Sequence, residues 1–184
     1  MFLEQGFNRT KLSDVAEQLN ITKPALYHYF ASKEAILIEC FRMGQELIEA
    51  HLAEIEASDG SGLDKVREFI RVYAAKIMTA DFGMCLVRLD DRELSEEARR
   101  KFRKGKRLVD QRVRALIAEG IADGSIATCD PKMAAFAIEG SLNWIAHWYQ
   151  PRGPLQATVV AETFASLLTE GLAVRQERAS PAGA

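Results

Sequence analysis

Apolar residues recur at three- and four-residue spacing along nearly the whole chain, which is the repeat of a helix face and not the alternation of a strand. From Ser32 to about Ala57 they fall at Leu37, Phe41, Leu47, Ile48, Leu52 and Ile55. Ser32 suits the cap of that helix, and Glu34 suits the positive end of its dipole. The run Ser58-Asp59-Gly60-Ser61-Gly62 interrupts the pattern. A second stripe follows at Val66, Phe69, Ile70, Tyr73 and Ile77 and fades near Thr79 to Gly83. A short apolar piece, Met84 to Leu89, leads to Ser95-Glu96-Glu97, which reads as a helix start. The helix it opens carries Leu108, Val109, Val113, Leu116 and Ile117 and stops at Gly124. Asp130-Pro131 begins another, apolar on nearly all sides to about Tyr149. The last runs from about Ala157 to Arg175 with Val160, Phe164, Leu167 and Leu168 on one face. No strand pattern and no internal repeat emerges. The pattern predicts an all-α fold.

The first third is written differently. Between Lys11 and Tyr29 it predicts two short helices joined by a tight turn. Thr10 caps the first, which buries Leu12, Val15, Ala16 and Leu19; Asn20-Ile21 makes the turn, since Asn tolerates the left-handed conformation. Thr22 caps the second, and Pro24 falls in its first turn, where a missing N–H costs nothing. This is helix-turn-helix grammar, in which the second helix projects and can enter a major groove. Such a helix needs short side chains near the bases, amphipathic rings near sugar and phosphate, and cations at its ends. Thr22, Lys23 and Ala25 suit base edges. Tyr27, His28 and Tyr29 offer ring faces and donors, and Lys33 suits a phosphate. Core packing competes as an explanation, and for Leu26 and Phe30 it wins. For Tyr27, His28 and Tyr29 together it fails, because three successive helical positions span about 200° and cannot all face inward.

The run from Gly6 to Leu37 resembles the DNA-binding head of the tetracycline-repressor (TetR) family of bacterial transcription regulators. The likeness is carried by Gly6-Phe7, Thr10, Asp14-Val15-Ala16, Leu26-Tyr27-His28-Tyr29-Phe30 and Ser32-Lys33-Glu34. The resemblance implies a homodimer on a palindromic operator, each subunit having a three-helix head (1–34) and a helical ligand-binding and dimerisation body (35–184). It further implies pairing through the last two helices and release of DNA by an effector, with repression as the mode. By position, the backbone-contacting residues would be Thr10, Lys11, Ser13, Tyr27, Tyr29 and Lys33, and the base-reading ones Thr22, Lys23, Pro24, Ala25 and His28. The family's first helix is longer than what precedes Gly6 here, so a shortened first helix is expected. The stretch from Asn143 to Leu155, followed by an apolar helix ending Glu170-Gly171-Leu172, is similar to a subgroup whose ligands are often fatty acyl-CoA or related lipid thioesters.

Composition narrows the alternatives. The 184 residues are 48% hydrophobic, enough for a core. Lys and Arg total 24 against 26 Asp and Glu, a net charge of −2, so nucleic acid can be met only on a local surface. Within 1–34 the four basic and four acidic residues balance. Cys40, Cys85 and Cys129 form no C-x-x-C pair, which points to a reducing cytoplasm without a disulfide framework or zinc site. No run of eighteen apolar residues and no basic leader followed by an apolar segment is present, so neither a membrane span nor export is expected. No nucleophile–base pair, paired carboxylates on a shared face or Gly-rich phosphate loop supports an enzyme, and no cofactor is expected. The rival reading from another class is a helical dimerising interaction protein.

Two features of the body carry candidate chemistry. An apolar ligand tunnel needs aromatic walls and a few convergent polar groups. The candidate walls are Phe69, Tyr73, Ile77, Phe82, Met84, Phe136 and Trp144, and the polar candidates are Asn143 and His147. Ordinary core packing or a dimer seam explains the same residues. Residues 99–107 carry seven basic side chains in nine. A solvated face balanced by the acidic stretch 90–97 is one account; a landing patch for an anionic ligand head, such as the phosphates of coenzyme A, is another. A second DNA contact is a third.

Overall fold

The computed structural model describes residues 9–80, 83–89, 92 and 94–173. Among these residues the chain forms eight helices: α1 (Leu12–Gln18), α2 (Lys23–Tyr29), α3 (Lys33–Glu56), α4 (Gly62–Thr79), α5 (Gly83–Arg88), α6 (Glu96–Ala122), α7 (Pro131–Trp148) and α8 (Ala157–Glu170). The only extended pairing among the described residues is one isolated bridge, Ile126 with Ala173. None of the described helices is long and apolar enough to cross a membrane. The all-α expectation holds.

Sequence signals at the helix ends act as their chemistry requires. Ser32 Oγ accepts from the Ala35 amide at 3.1 Å, and Ser95 Oγ from that of Ala98 at 3.3 Å. At α4, Ser61 and Asp64 close a reciprocal capping box. Asp130 accepts from the Lys132 and Met133 amides, with Pro131 opening α7. Beyond α6, Gly124 takes a φ of +80°, the left-handed stop its type permits.

Helix α3 joins the two parts of the molecule. Its beginning meets a small cluster of Leu37, Leu94, Ala98 and Phe102, while Leu52 and Ile55, near its end, enter the main core. In that core α4 is central, with Val66, Phe69, Ile70, Ala74 and Ile77 packed among α6 (Val113, Leu116, Ile117), α7 (Ala135, Ile138, Leu142, Ile145) and α8 (Val160, Ala161, Ala165). Fully burying each large aliphatic or aromatic side chain of this set stabilises the fold by about 1.5–3 kcal/mol. The start of α4 crosses the end of α6 closely: a Cβ on Gly62 would lie 2.1 Å from the Gly120 nitrogen, so only glycine fits.

Four expectations need correction. Met84 to Arg88, read only as an apolar piece, is helical and forms most of α5. Thr10 does not cap α1; Lys11 occupies the cap position and no side chain closes it. Leu19 and Leu108 are exposed rather than buried. Leu167 is 63% exposed, because the small residues Ala161 and Ala165 let α8 lie close to α4 and leave Leu167 just past the edge of the buried arc. Helix α8 ends at Glu170, short of the expected Arg175: Gly171 and Leu172 form a turn and Ala173 bridges to Ile126, while 174 and 175 lie outside the described residues.

Candidate nucleic-acid interface and effector cavity

The head is organised by one buried leucine. Leu26, 3% exposed, packs with Leu12 and Ala16 of α1, supported by Val15, Phe30 and Ile36. The turn between α1 and α2 is set by Asn20, whose φ of +53° is the only positive value at a non-glycine residue among those described. Thr22 Oγ1 accepts from the Ala25 amide at 3.3 Å and caps α2. With Leu26 fixed inward, the other positions of α2 turn outward. Tyr27, His28 and Tyr29 are all exposed, Tyr29 by 76%, and among the described residues no neighbouring element covers them. The His28 and Tyr29 rings meet edge-on at 5.4 Å, and Lys23 Nζ stands 5.8 Å from the Tyr27 ring centre. Thr22, Lys23 and Pro24 are exposed and Ala25 is half-buried, so the start of α2 presents a slim surface.

The remaining head residues are placed less uniformly. Lys11 is exposed, and Ser13 is exposed with its hydroxyl donating to Asp14 at 2.9 Å. Lys33 is half-buried, with Nζ 3.5 Å from the Thr10 carbonyl. Thr10 itself is only 2% exposed, which sets its side chain beneath the surface expected to meet the DNA backbone. Glu34 accepts from the Ser95 amide at 2.6 Å, so one of the head's carboxylates is engaged by the body.

The body holds a cavity of about 200 Å³ that is partly open to solvent. Phe41, Gln45, Leu47 and Ile48 of α3 form one wall, Tyr73, Lys76 and Ile77 of α4 a second, and Leu86 and Val87 of α5 a third. Gly105, Lys106 and Val109 of α6 and Glu139 and Asn143 of α7 complete it. Glu139 and Asn143 are four residues apart and therefore share one helix face. Tyr73 donates its hydroxyl to Asn143 Oδ1 at 3.2 Å, and burial together with the Glu139 charge pushes the phenol up to about 12. Burial and the negative charge of Asp110, opposed by Arg114, push the Glu139 carboxyl up to about 7.

Of the residues expected to line a tunnel, the cavity brings together Tyr73, Ile77 and Asn143. Phe69 and Met84 are buried in the core and do not line it. Phe82 lies outside the described residues. Phe136, Trp144 and His147 do not line it and are exposed, with Trp144 at 64% and stacked on the His147 ring at 4.8 Å. The reason is that α7 carries two apolar stripes. One (Ala135, Ile138, Leu142, Ile145) faces the core, while Met133, Phe136, Trp144 and Trp148 are exposed on the other; on α8, Val159 and Leu167 are exposed as well. The aromatic residues of α7 were the wrong signal for the cavity. Glu139, the one acidic residue of α7, is the better signal; Phe41 and Gln45 also line the cavity without being among the expected residues.

The basic run divides between solvent and cavity. Arg99 and Arg100 lie 3.5 and 3.7 Å from Glu96, and Lys101 is 2.7 Å from Glu97, the balance expected of a solvated face. Phe102 and Gly105 point inward, and Lys106, exposed, reaches the cavity lining.

Comparison with known proteins matches both parts of the chain. A family model described as the tetracyclin repressor-like C-terminal domain matches residues 59–172, and one described as bacterial regulatory proteins of the tetR family matches residues 1–40. The HTH-type transcriptional repressor KstR2 of Mycolicibacterium smegmatis is 24% identical over 185 residues, covering 96% of this chain and 87% of that protein. A solved regulator of the TetR/AcrR family from Thermobifida fusca is 31% identical, with a TM-score of 0.73 over 92% of this chain and 91% of that one. AibR, solved in complex with isovaleryl coenzyme A and operator DNA, has the same fold at 22% identity, with a TM-score of 0.78 over 93% of this chain and 91% of that one.

Proposed function

Because the chain belongs to the tetracycline-repressor family of bacterial regulatory proteins, we propose that it is a repressor that reads its operator with α2 and releases it when a small molecule fills the body cavity. It is a DNA-binding transcriptional regulator modulated by a small-molecule effector. The observation that carries the assignment to α2 is the exposure of Tyr27, His28 and Tyr29 on a helix seated by Leu26 alone. Three adjacent amphipathic rings facing water would be a liability on a helix with no partner. In a major groove the hydroxyls and imidazole meet phosphates and base edges, while Thr22, Lys23 and Ala25 let the backbone approach. Pro24 fixes the entry of the helix, Lys11, Ser13 and Lys33 meet phosphates beside it, and Thr10 acts from beneath by holding Lys33.

Two heads are needed to read a palindrome. The exposed apolar stripe of Met133, Phe136, Trp144, Trp148, Val159 and Leu167 is the surface that a second copy covers, pairing α7 and α8 with their symmetry mates. His147, stacked on Trp144, belongs to the same seam. A two-fold axis there sets the two α2 helices onto successive major grooves, about 34–36 Å apart.

Effector and operator meet in α3. Its first turn follows directly on the head, and its middle lines the cavity through Phe41, Gln45 and Ile48. A ligand that displaces this wall shifts the head relative to its partner head, and the operator no longer fits both. Lys106, in the basic run and in the cavity lining, favours a lipid thioester as the effector, its acyl part inside and its phosphates over residues 99–107. In a gel-shift series with the DNA flanking its own gene, Tyr29→Ala and Lys23→Ala abolish the shift while the dimer persists. An unchanged shift would remove the assignment of α2.

A further inference from the structure

Helix α6 carries two glycines, Gly105 and Gly120, and they answer different neighbours. Gly120 lies where the backbone of α4 crosses, whereas Gly105, buried within the helix, meets a side chain. A Cβ at Gly105 would stand 2.2 Å from Gln45 Oε1, 2.7 Å from its Cδ and 2.8 Å from its Nε2. The Gln45 amide thus occupies the place of the missing side chain. Glycine weakens a helix interior, so its use there needs a local reason, and the amide is that reason. Gln45 Nε2 donates to Glu49 Oε1 at 2.8 Å, and an ionised carboxylate only accepts, which leaves the amide oxygen as the end laid on Gly105.

This notch lies midway along the seam between α3 and α6. On the head side the two helices are tied by Glu34 with the Ser95 amide and by the Phe41 ring stacked on Phe102. Beyond the notch, Arg112 donates to both Glu56 oxygens at 2.7 Å and to the Glu49 carbonyl at 3.2 Å. Between these ties, Gln45 and Gly105 both line the cavity. A terminal amide is the far end of a flexible side chain and moves at little cost, unlike a ring stack or a bidentate ion pair. We propose that the contact of Gln45 with Gly105 is the latch through which the cavity controls operator affinity. With the amide in the notch α3 lies close on α6; an occupant that drives it out parts the helices and turns the head that α3 carries. The proposal rests on the cavity being the effector site and names the pair that transmits its occupancy, Gln45 as the moving part and Gly105 as the positioning residue.

The test is a double-mutant cycle on operator affinity, with the full-length chain, the DNA flanking its own gene and no added ligand. Gly105→Ala fills the notch and is expected to weaken binding about tenfold. Alanine is the better helix former, so that loss does not come from a weaker α6. Gln45→Ala leaves affinity within about twofold and, combined with Gly105→Ala, restores it to the natural level, because the added methyl no longer meets the amide. A Gly105→Ala chain that binds like the natural one, or whose loss persists in the double variant, overturns the latch. A second arm builds an occupant into the cavity from its own walls, Val109→Phe on α6 and Val87→Phe on α5, with folding checked by circular dichroism. Each is expected to weaken operator binding about tenfold, and to do so far less when residue 45 is alanine. If they act equally in both backgrounds, the cavity remains the effector site and Gln45 does not transmit its occupancy, which overturns the latch. If neither changes operator affinity in either background, the effector-site reading fails and the proposal with it.

Discussion

The Ser95 amide donates to Glu34 Oε1 at 2.6 Å, across 61 residues of sequence, and so ties the first turn of α3 to the cap of α6. Glu34 stands next to Lys33 at the base of the head, while α6 reaches the cavity ten residues on, at Gly105 and Lys106. The contact is reinforced by Leu37 packing with Leu94, Ala98 and Phe102, and by the Phe41 ring stacked on that of Phe102 at 4.0 Å. These contacts are the route by which we propose that a movement of α6 at the cavity reaches α3 where the head begins.

Removing that tie separates sensing from binding. Glu34→Ala is expected to lower stability by about 1 kcal/mol, the worth of one charge-assisted hydrogen bond at a helix start. Operator affinity without effector changes little, but the effector concentration needed for release rises severalfold. Release curves by fluorescence anisotropy check this, and an unshifted midpoint would show that the coupling runs elsewhere.

Phosphate contacts and base contacts separate by their salt dependence. Lys11→Ala is expected to weaken binding to every DNA sequence alike and to reduce the slope of log K against log salt by about 0.9. His28→Ala should instead relax discrimination between operator variants, a loss of about 1–3 kcal/mol confined to particular base pairs. Affinity measured over a salt series on a set of single-base variants distinguishes the two.

The seam between copies is tested on residues that take no part in the fold of one subunit. Trp144→Glu and Leu167→Glu place charges in the middle of the exposed stripe. Sedimentation should show a monomer with unchanged helical content, and operator binding should fall by two orders of magnitude or more because one head reads only half a site. A persistent dimer would locate the seam on another surface.

Glu139 links stability to pH in a defined direction. Its carboxyl titrates at about 7 in the fold instead of 4.5, so the ionised form is the disfavoured one. Below pH 4.5 the group is protonated in both states and costs nothing. The cost grows as pH rises to about 7 and is constant above it. Allowing for its partial exposure, Glu139→Gln is expected to match the natural chain near pH 4 and to exceed it by about 1 kcal/mol at pH 8. Urea denaturation at the two pH values measures the difference; an equal gap at both would rule out titration of this group as its source.

The helices were legible in the sequence because their ends are written in residue types with one local use each, such as Ser32, Ser95 and Asp130-Pro131. The outward display of Tyr27, His28 and Tyr29 was legible because it follows from helix periodicity alone. The cavity was not. Whether an apolar residue of α7 faces core, cavity or solvent depends on how α4, α6 and α8 surround it, and α7 is apolar on two faces. Trp144 and Phe136 were thus assigned to the cavity on size, whereas Phe41 and Gln45 enter it only because α3 passes over α6. The burial of Thr10, whose carbonyl meets Lys33 Nζ from the start of α3, is likewise not encoded in a local pattern.

Operator reading is assigned to the surface of α2, and replacing Tyr27, His28 and Tyr29 together by alanine tests it most directly. Operator affinity is compared between this variant and the natural chain at physiological salt, with sedimentation and circular dichroism on both. The expected result is a folded dimer whose operator affinity falls to the level of random DNA, a loss of about a thousandfold or more. A folded dimer that still binds its operator with undiminished affinity would contradict it.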